Sequence, residues 1–208
     1  AGGACTTNTN DYPTTNVAYY KMSTAADEKD TYNGTATNVN FNVQGKFGNA
    51  AEFNGSSSVI SLGTSSPLNT FGGAQTISVW VKPSSASQEA IIGYRNDSTF
   101  YWNLIEIMSD NTIRFLLRGS SGSTLVFNSA GTITLNQWNH IAVTVDSTSA
   151  KIYINNGSPE TASNSITSFS NTETTYIGYS TDVDATYFTG QIDQVRIFSS
   201  ALDATQVE

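Results

Sequence analysis

Trp138-Asn-His-Ile-Ala-Val-Thr-Val-Asp-Ser-Thr-Ser-Ala-Lys-Ile-Tyr-Ile-Asn-Asn-Gly157 is the stretch whose reading decides the fold. Ile141, Val143 and Val145 recur every second residue, and Ile152 and Ile154 repeat the pattern. A period of two places the branched side chains on one face of an extended strand and leaves the other face wetter. Asp146-Ser-Thr-Ser149 and Asn155-Asn156-Gly157 bracket the second run, and both are turn sequences rich in residues that tolerate tight reversals. The stretch therefore reads as an antiparallel hairpin with one face toward an interior.

Working outward, short apolar runs bounded by Gly, Asn, Ser or Asp continue along almost the whole chain, which is the punctuation of an all-β protein. A first run covers Val17–Met22. Further strands are expected at Ser58–Leu62, Gln75–Lys82, Ala90–Tyr94, Tyr101–Met108, Thr112–Leu117, Thr124–Asn128, Thr175–Ile177 and Gln191–Phe198, beside His140–Val145 and Lys151–Ile154 of the hairpin. Only the tail Ala201–Glu208 has helical spacing, with Leu202 and Val207 placed to close a turn over the sandwich edge. Residues 1–16 are Thr/Asn-rich without apolar periodicity and read as an arm or linker. Residues 17–208 then form one all-β domain of two antiparallel sheets packed face to face.

Composition narrows the function. Of 208 residues, 75 are Thr, Ser or Asn, a surplus typical of extracellular β-proteins with many turns. Nine Lys+Arg against 17 Asp+Glu give a net charge of −8, which argues against a nucleic-acid partner because phosphate binding needs clustered cations. No apolar run approaches the roughly 20 residues of a membrane-spanning helix. Ala-Gly-Gly-Ala-Cys at the start lacks the charged and apolar regions of a signal peptide, so a mature or cut terminus, or an interior boundary, is expected. A single cysteine permits neither an internal disulfide nor a zinc cluster.

Four stretches carry a family resemblance. They are Gly45-Lys-Phe-Gly-Asn-Ala-Ala-Glu-Phe-Asn-Gly55, Thr76-Ile-Ser-Val-Trp-Val-Lys-Pro83, Trp138–Val145 leading into Ile152–Gly157, and Phe188-Thr-Gly-Gln-Ile-Asp-Gln-Val-Arg-Ile-Phe198 followed by Ala201-Leu202. In this order the chain resembles the concanavalin A-like jelly roll, in its laminin G-like branch. The arm together with Ala18-Tyr-Tyr-Lys21 also resembles modules of phage virion and tail proteins. The resemblance implies an all-β, concanavalin A-like jelly-roll sandwich, with Trp80 and Trp138 as core residues.

The resemblance also implies a structural Ca2+ ion. In related jelly rolls the acid of the last strand ligates calcium, joined by main-chain carbonyls of the N-terminal segment and a Gly-rich loop. The matching positions here are Asp193, the loop Gly45–Asn49 with Gly48, and Asp27. Calcium suits such mixed carboxylate and carbonyl sets. Alternatively, Asp193 caps a turn or pairs with Arg196 or Lys46.

For ligand binding, the densest set of aromatic and hydrogen-bonding side chains is Tyr94-Arg95-Asn96-Asp97, followed by Phe100, Tyr101 and Trp102. Glycans are held by stacking on rings while polar groups fix their hydroxyls, so Tyr94, Arg95, Asn96, Asp97 and Tyr101 are candidate contacts. The competing reading makes Phe100 and Trp102 core anchors. Asp182 and Asp184, with Tyr187 nearby, form an acidic rim loop; the resemblance implies that its alternating carboxylates chelate a ligand-bridging calcium, as in laminin G-type rims, and the alternative is ordinary exposed surface. His140, the sole histidine, reads as a hydrogen-bonded edge residue rather than a catalytic base.

Glucanases of this architecture carry Glu-x-Asp-x-x-Glu on one strand, where a period of two aims the first two acids into the cleft. The nearest run here, Glu106-Ile-Met-Ser-Asp110, lacks the central Asp and the second Glu. The sequence thus predicts a non-enzymatic binding module on a cell or virion surface, with a glycan or surface receptor as partner, recognised through rim loops with calcium help. The rival is a virion decoration or fibre domain that packs against other virion subunits.

Overall fold

The computed structural model describes residues 13–99, 101–119, 122–181 and 186–207. The strands among them are β1 (Ala18–Tyr20), β2 (Thr35–Thr37), β3 (Asn40–Gln44), β4 (Asn49–Asn54), β5 (Val59–Gly63), β6 (Thr70–Phe71), β7 (Ala74–Pro83), β8 (Glu89–Asn96) and β9 (Tyr101–Ile107). They continue as β10 (Thr112–Arg118), β11 (Thr124–Thr132), β12 (Asn139–Asp146), β13 (Ser149–Ile154), β14 (Glu160–Ser163), β15 (Phe169–Ser170), β16 (Thr175–Ile177) and β17 (Thr189–Phe198). A short 3-10 turn at Pro67–Asn69 is capped by Ser66. No helix among the described residues is long and apolar enough to cross a membrane.

Two sheets carry the architecture. One runs β14-β13-β12-β7-β17-β4-β3, with β1 added on β17; the other runs β11-β10-β9-β8-β16-β5-β2, and β6 pairs with β15 apart from both. All their pairings are antiparallel. Alternation sends Ile77, Val79, Val81, Ile141, Val143, Ile192 and Ile197 inward from the first sheet, and they meet Ile92, Ile105, Ile107, Phe115 and Leu117 from the second. This is the expected sandwich.

The hairpin forms as its turns demand. Asp146 Oδ1 accepts the amides of Thr148 and Ser149 at 2.7 and 2.8 Å. Asn155 and Asn156 take φ of 50° and 59°, and the Gly157 amide closes the turn on the Ile154 carbonyl at 2.9 Å, the left-handed pair that suits a tight hairpin. The tail makes a turn rather than a helix. Leu202 and Val207 bury against Ala142, Tyr153 and Phe198 on the outer face of the eight-stranded sheet, not over its edge.

The two tryptophans expected in the core are not there. Trp80 alternates with the buried Val79 and Val81, so the same period that sends the valines inward sends the indole out. There it meets the Lys46 ammonium at 4.3 Å, the Phe47 ring at 6.1 Å and the His140 ring at 5.2 Å. Trp138 precedes β12 and is half-buried. Tyr20, Phe53, Phe71, Tyr94, Phe115, Phe188 and Phe198 are the large fully buried rings among the described residues instead.

Candidate functional site

The outer face of the seven-stranded sheet gathers chemistry from five strands. Along β9, Asn103, Ile105 and Ile107 point inward, so Trp102, Leu104 and Glu106 point out. Register sets their neighbours: Trp102 lies between Arg95 of β8 and Arg118 of β10, Leu104 between Gly93 and Leu116, and Glu106 between Ala90 and Arg114. Gly93 pairs onward with Tyr176 of β16, and Leu116 with Val126 of β11. One row is therefore Tyr176, Gly93, Leu104, Leu116 and Val126, in which the two leucines are buried beside Ala90 and Trp102 and the row opens to solvent at its ends, Val126 being 57% exposed.

The second row is cationic and aromatic. The guanidinium carbons of Arg95 and Arg118 lie 4.9 and 5.0 Å from the Trp102 ring centre, within the range of cation–π attraction. Arg95 also donates through Nε and Nη2 to Asp97 at 3.0 and 3.1 Å. The third row is neutralised. Glu106 is fully buried, accepts from Arg114 Nε and Nη2 at 2.7 and 2.6 Å, and takes the Gln88 amide at 3.2 Å.

A tyrosine cluster borders these rows. Tyr179 packs on Tyr187 with centroids 4.5 Å apart and ring planes tilted by 35°, and Tyr176 meets Tyr179 edge-on at 5.2 Å. Gly178 donates to the Ile91 carbonyl while the Thr181 hydroxyl donates to that of Arg95, so this loop returns along β8 toward Arg95.

The structure thus joins only part of the expected ligand set. Arg95, Asp97 and Tyr187 belong to this face. Tyr94 does not: alternation turns it into the core, where its hydroxyl donates to the Leu68 carbonyl at 3.2 Å and accepts from Asn171 at 2.7 Å. Burial pushes its phenol well above the usual range. Tyr101 likewise faces the interior and packs on Phe169. Asn96 shapes the turn, accepting the Ser98 and Thr99 amides and donating to Glu173. Phe100, Asp182 and Asp184 lie outside the described residues. Trp102 is an outer-face residue, not a core anchor, and Arg118, Tyr176 and Tyr179 complete the face without having stood out in the sequence.

The residues implied for calcium are already occupied by hydrogen donors. Asp27 is buried and accepts four main-chain amides, those of Tyr19, Lys29, Thr31 and Tyr32. Asp193 is fully buried, and burial raises its carboxyl above the usual range. Its Oδ2 accepts the Phe47 amide at 2.9 Å and its Oδ1 the Gln194 side chain at 3.3 Å. Gly48 gives its carbonyl to the Gly45 amide at 2.8 Å. A Cβ on Gly45 would lie 2.6 Å from Asp193 Oδ2, so the loop wraps directly over the carboxylate. N–H groups aimed at carboxylate oxygens suit an anchor and do not suit a cation. Asp193 therefore fastens the loop whose Lys46 and Phe47 cover Trp80, and Asp27 organises the loop after β1.

A substitution pair separates anchor from ligand. Asp193→Ala strands the Phe47 amide and is expected to cost about 2–3 kcal/mol, whereas Asp193→Asn keeps an acceptor and costs about 1 kcal/mol. Urea unfolding should give the same two values with millimolar calcium or with a chelator. Equal losses for both variants, or a chelator-dependent melting point of the unaltered chain, would restore the metal.

His140 lies within the sheet rather than at its edge, since β12 is flanked by β7 and β13. Its Nε2 is 2.8 Å from Ser78 Oγ. Burial first, and the Arg196 guanidinium second, lower it to about 4, so the ring is neutral at pH 7.

Likeness to known proteins agrees with this architecture. Domain 4 of AbnA, a GH43 extracellular arabinanase from Geobacillus stearothermophilus, solved with arabinotriose, superposes with a TM-score of 0.64 at 23% identity over 91% of this chain and 95% of that one. The binding domain of Paraclostridial Mosquitocidal Protein 1 gives 0.71 at 18% identity over 93% of this chain. Botulinum neurotoxin type C, whose cell entry depends on interaction with two ganglioside molecules, gives 0.68 at 20% identity over 95%. The chain spans about half of the length of these two toxin structures, 50% in each. No curated protein sequence matches the chain. The family model of the concanavalin A-like lectin/glucanases superfamily, in its laminin G-type branch, matches residues 53–208, and the chain belongs to that family.

Proposed function

We propose that this chain is a non-catalytic glycan-binding module, working outside the cell or on a virion surface, whose site is the outer face of the seven-stranded sheet. The observation that carries it is the partly exposed cluster of Tyr176, Tyr179 and Tyr187 beside the Arg95–Trp102–Arg118 row. Sugars need apolar surface for their ring faces and fixed hydrogen-bonding groups for their hydroxyls; here the tyrosine rings offer the first and the arginine row the second. Tyr176, Tyr179 and Tyr187 extend the aromatic surface at one end. The arabinotriose and ganglioside associations of similar folds support the same class of ligand. Glu106, the nearest residue to a glycosidase acid, is buried and held by Arg114, so it is not free to act as one.

A glycan array with the labelled chain tests this reading. At least one glycan class should be retained, and the double change Tyr176→Ala, Tyr179→Ala should weaken it about tenfold or more, equivalent to about 1.4 kcal/mol, with an unchanged circular dichroism spectrum. Failure to retain any glycan, or retention indifferent to that double change, would overturn it and favour a packing role in a larger assembly.

A further inference from the structure

The geometry points to a second ligand site, on the outer face of the eight-stranded sheet, that takes one neutral, hydroxyl-bearing ring the size of a monosaccharide. It is independent of the face proposed above, which belongs to the other sheet. A slot of about 180 Å3 lies between the turn that follows β13 and the C-terminal turn. His140 and Tyr153 line it from the sheet, Asn156 and Ser158 from the first turn, and Ala204 and Val207 from the second. None of the lining residues is charged at pH 7, since burial and the Arg196 guanidinium keep the His140 ring neutral.

Both walls are fixed in place. The His140 amide donates to Asn155 Oδ1 at 2.9 Å and its carbonyl accepts the Asn155 amide at 3.0 Å, so the left-handed pair Asn155–Asn156 is tied to the histidine. On the other side Asp203 Oδ1 accepts the Thr205 and Gln206 amides at 3.0 Å each, and Leu202 and Val207 pack with Tyr153. Walls that are already ordered lower the entropy a small ligand must overcome. The polar side chains between them are uncommitted. Asn156 and Ser158 are exposed and make no side-chain hydrogen bond among the described residues. His140 uses Nε2 on Ser78 Oγ, while its Nδ1 has no hydrogen-bond partner among the described residues. Nδ1 is not one of the buried polar atoms sealed away without a partner, so it is reached from the slot. A neutral imidazole nitrogen offers a proton or a lone pair according to tautomer, and the Asn156 amide and Ser158 hydroxyl each both donate and accept. Hydroxyl groups answer all of these. A carboxylate only accepts and an ammonium only donates, and neither finds a counter-charge in the lining. Pro159, Ala204 and Val207 supply apolar contact for a ring face. A space of this size holds one ring, so recognition is of a single terminal residue.

His140 is the sole histidine, so its Cε1–Hε1 signal in a carbon-13 spectrum reports on this slot alone. Titration of the labelled chain with the methyl glycosides of arabinose, galactose, glucose and N-acetylglucosamine should move that signal saturably for at least one of them, at about 1–10 mM, as suits a single ring. Galacturonate and glucosamine, one anionic and one cationic, should bind at least about tenfold more weakly than the best neutral ring. Ala204→Trp and Ser158→Trp fill the slot from opposite rims. Both positions are exposed, so the melting temperature should hold while the shift is lost. A signal that no neutral sugar moves, a shift that survives either tryptophan, or charged sugars that bind as well as neutral ones would overturn the slot. A silent His140 beside glycan retained on the array leaves the other sheet's face standing. A moved His140, with nothing sensitive to the change at Tyr176 and Tyr179, does the reverse.

Discussion

Arg114→Ala is expected to destabilise the fold by about 3–5 kcal/mol, because it removes the partner of a carboxylate that water cannot reach. Glu106 is fully buried in the middle strand of three, opposite Arg114, which donates through both Nε and Nη2 to the same oxygen. After truncation only the Gln88 amide, at 3.2 Å, would still meet the carboxylate. Burying a charge without a counter-ion is among the most expensive changes a core can undergo. Removing both charges tells a different story: Glu106→Gln combined with Arg114→Gln should recover most of the loss, since a mutually bonded neutral pair replaces the ion pair. Urea unfolding of the two variants against the unaltered chain checks this. A single-variant loss below about 1 kcal/mol, or a double variant no better than Arg114→Ala, would show that the pair does not hold the face together. The site depends on this pair indirectly, since Arg114 and Arg118 share one strand face with Leu116 between them.

How far the residues announced this structure depends on what each strand buries. The hairpin from β12 to β13 was legible because branched side chains alternate between turn sequences whose Asp and Asn residues make the turns observed. β2, β3 and β14 were not, since their side chains are largely exposed and Thr35–Thr37, Asn40–Gln44 and Glu160–Ser163 carry little apolar signal; main-chain pairing recruits them. Trp80 is a misreading with the right signal present, for Val79 and Val81 on either side already assign the indole to the opposite face. Tyr94 and Arg95 repeat the lesson at the site, where neighbours in sequence part to opposite faces. Arg118 and Tyr176 were out of reach for another reason. Their nearness to Trp102 and Gly93 is a matter of register between strands distant in sequence, which local pattern does not encode.

The same register makes Gly93 the position least able to accept a side chain. It has a φ of +131°, and a Cβ there would lie 1.9 Å from the Asn103 carbonyl oxygen and 2.7 Å from the Leu104 Cα. Both are main-chain atoms of β9, and Gly93 is paired with Tyr176 on its other side, so neither neighbour can withdraw without opening the sheet. Gly93→Ala is therefore expected to cost about 4 kcal/mol or more, the range reached when backbone strain and overpacking coincide, and to lower soluble yield. Gly48→Ala supplies the contrast. Its φ of +69° also disfavours a side chain, yet nothing lies within 4 Å of the added carbon, so left-handed strain alone should cost about 1 kcal/mol. Comparing urea midpoints of the two variants separates steric contact from backbone preference. If both fall by the same amount, contact with β9 contributes nothing; if Gly93→Ala falls several times further, the close approach of β8 to β9 is what sets Leu104 and Tyr176 on either side of a bare glycine. A continuous apolar strip across those strands then requires glycine at this point, because any side chain would part the strands whose alignment builds the face.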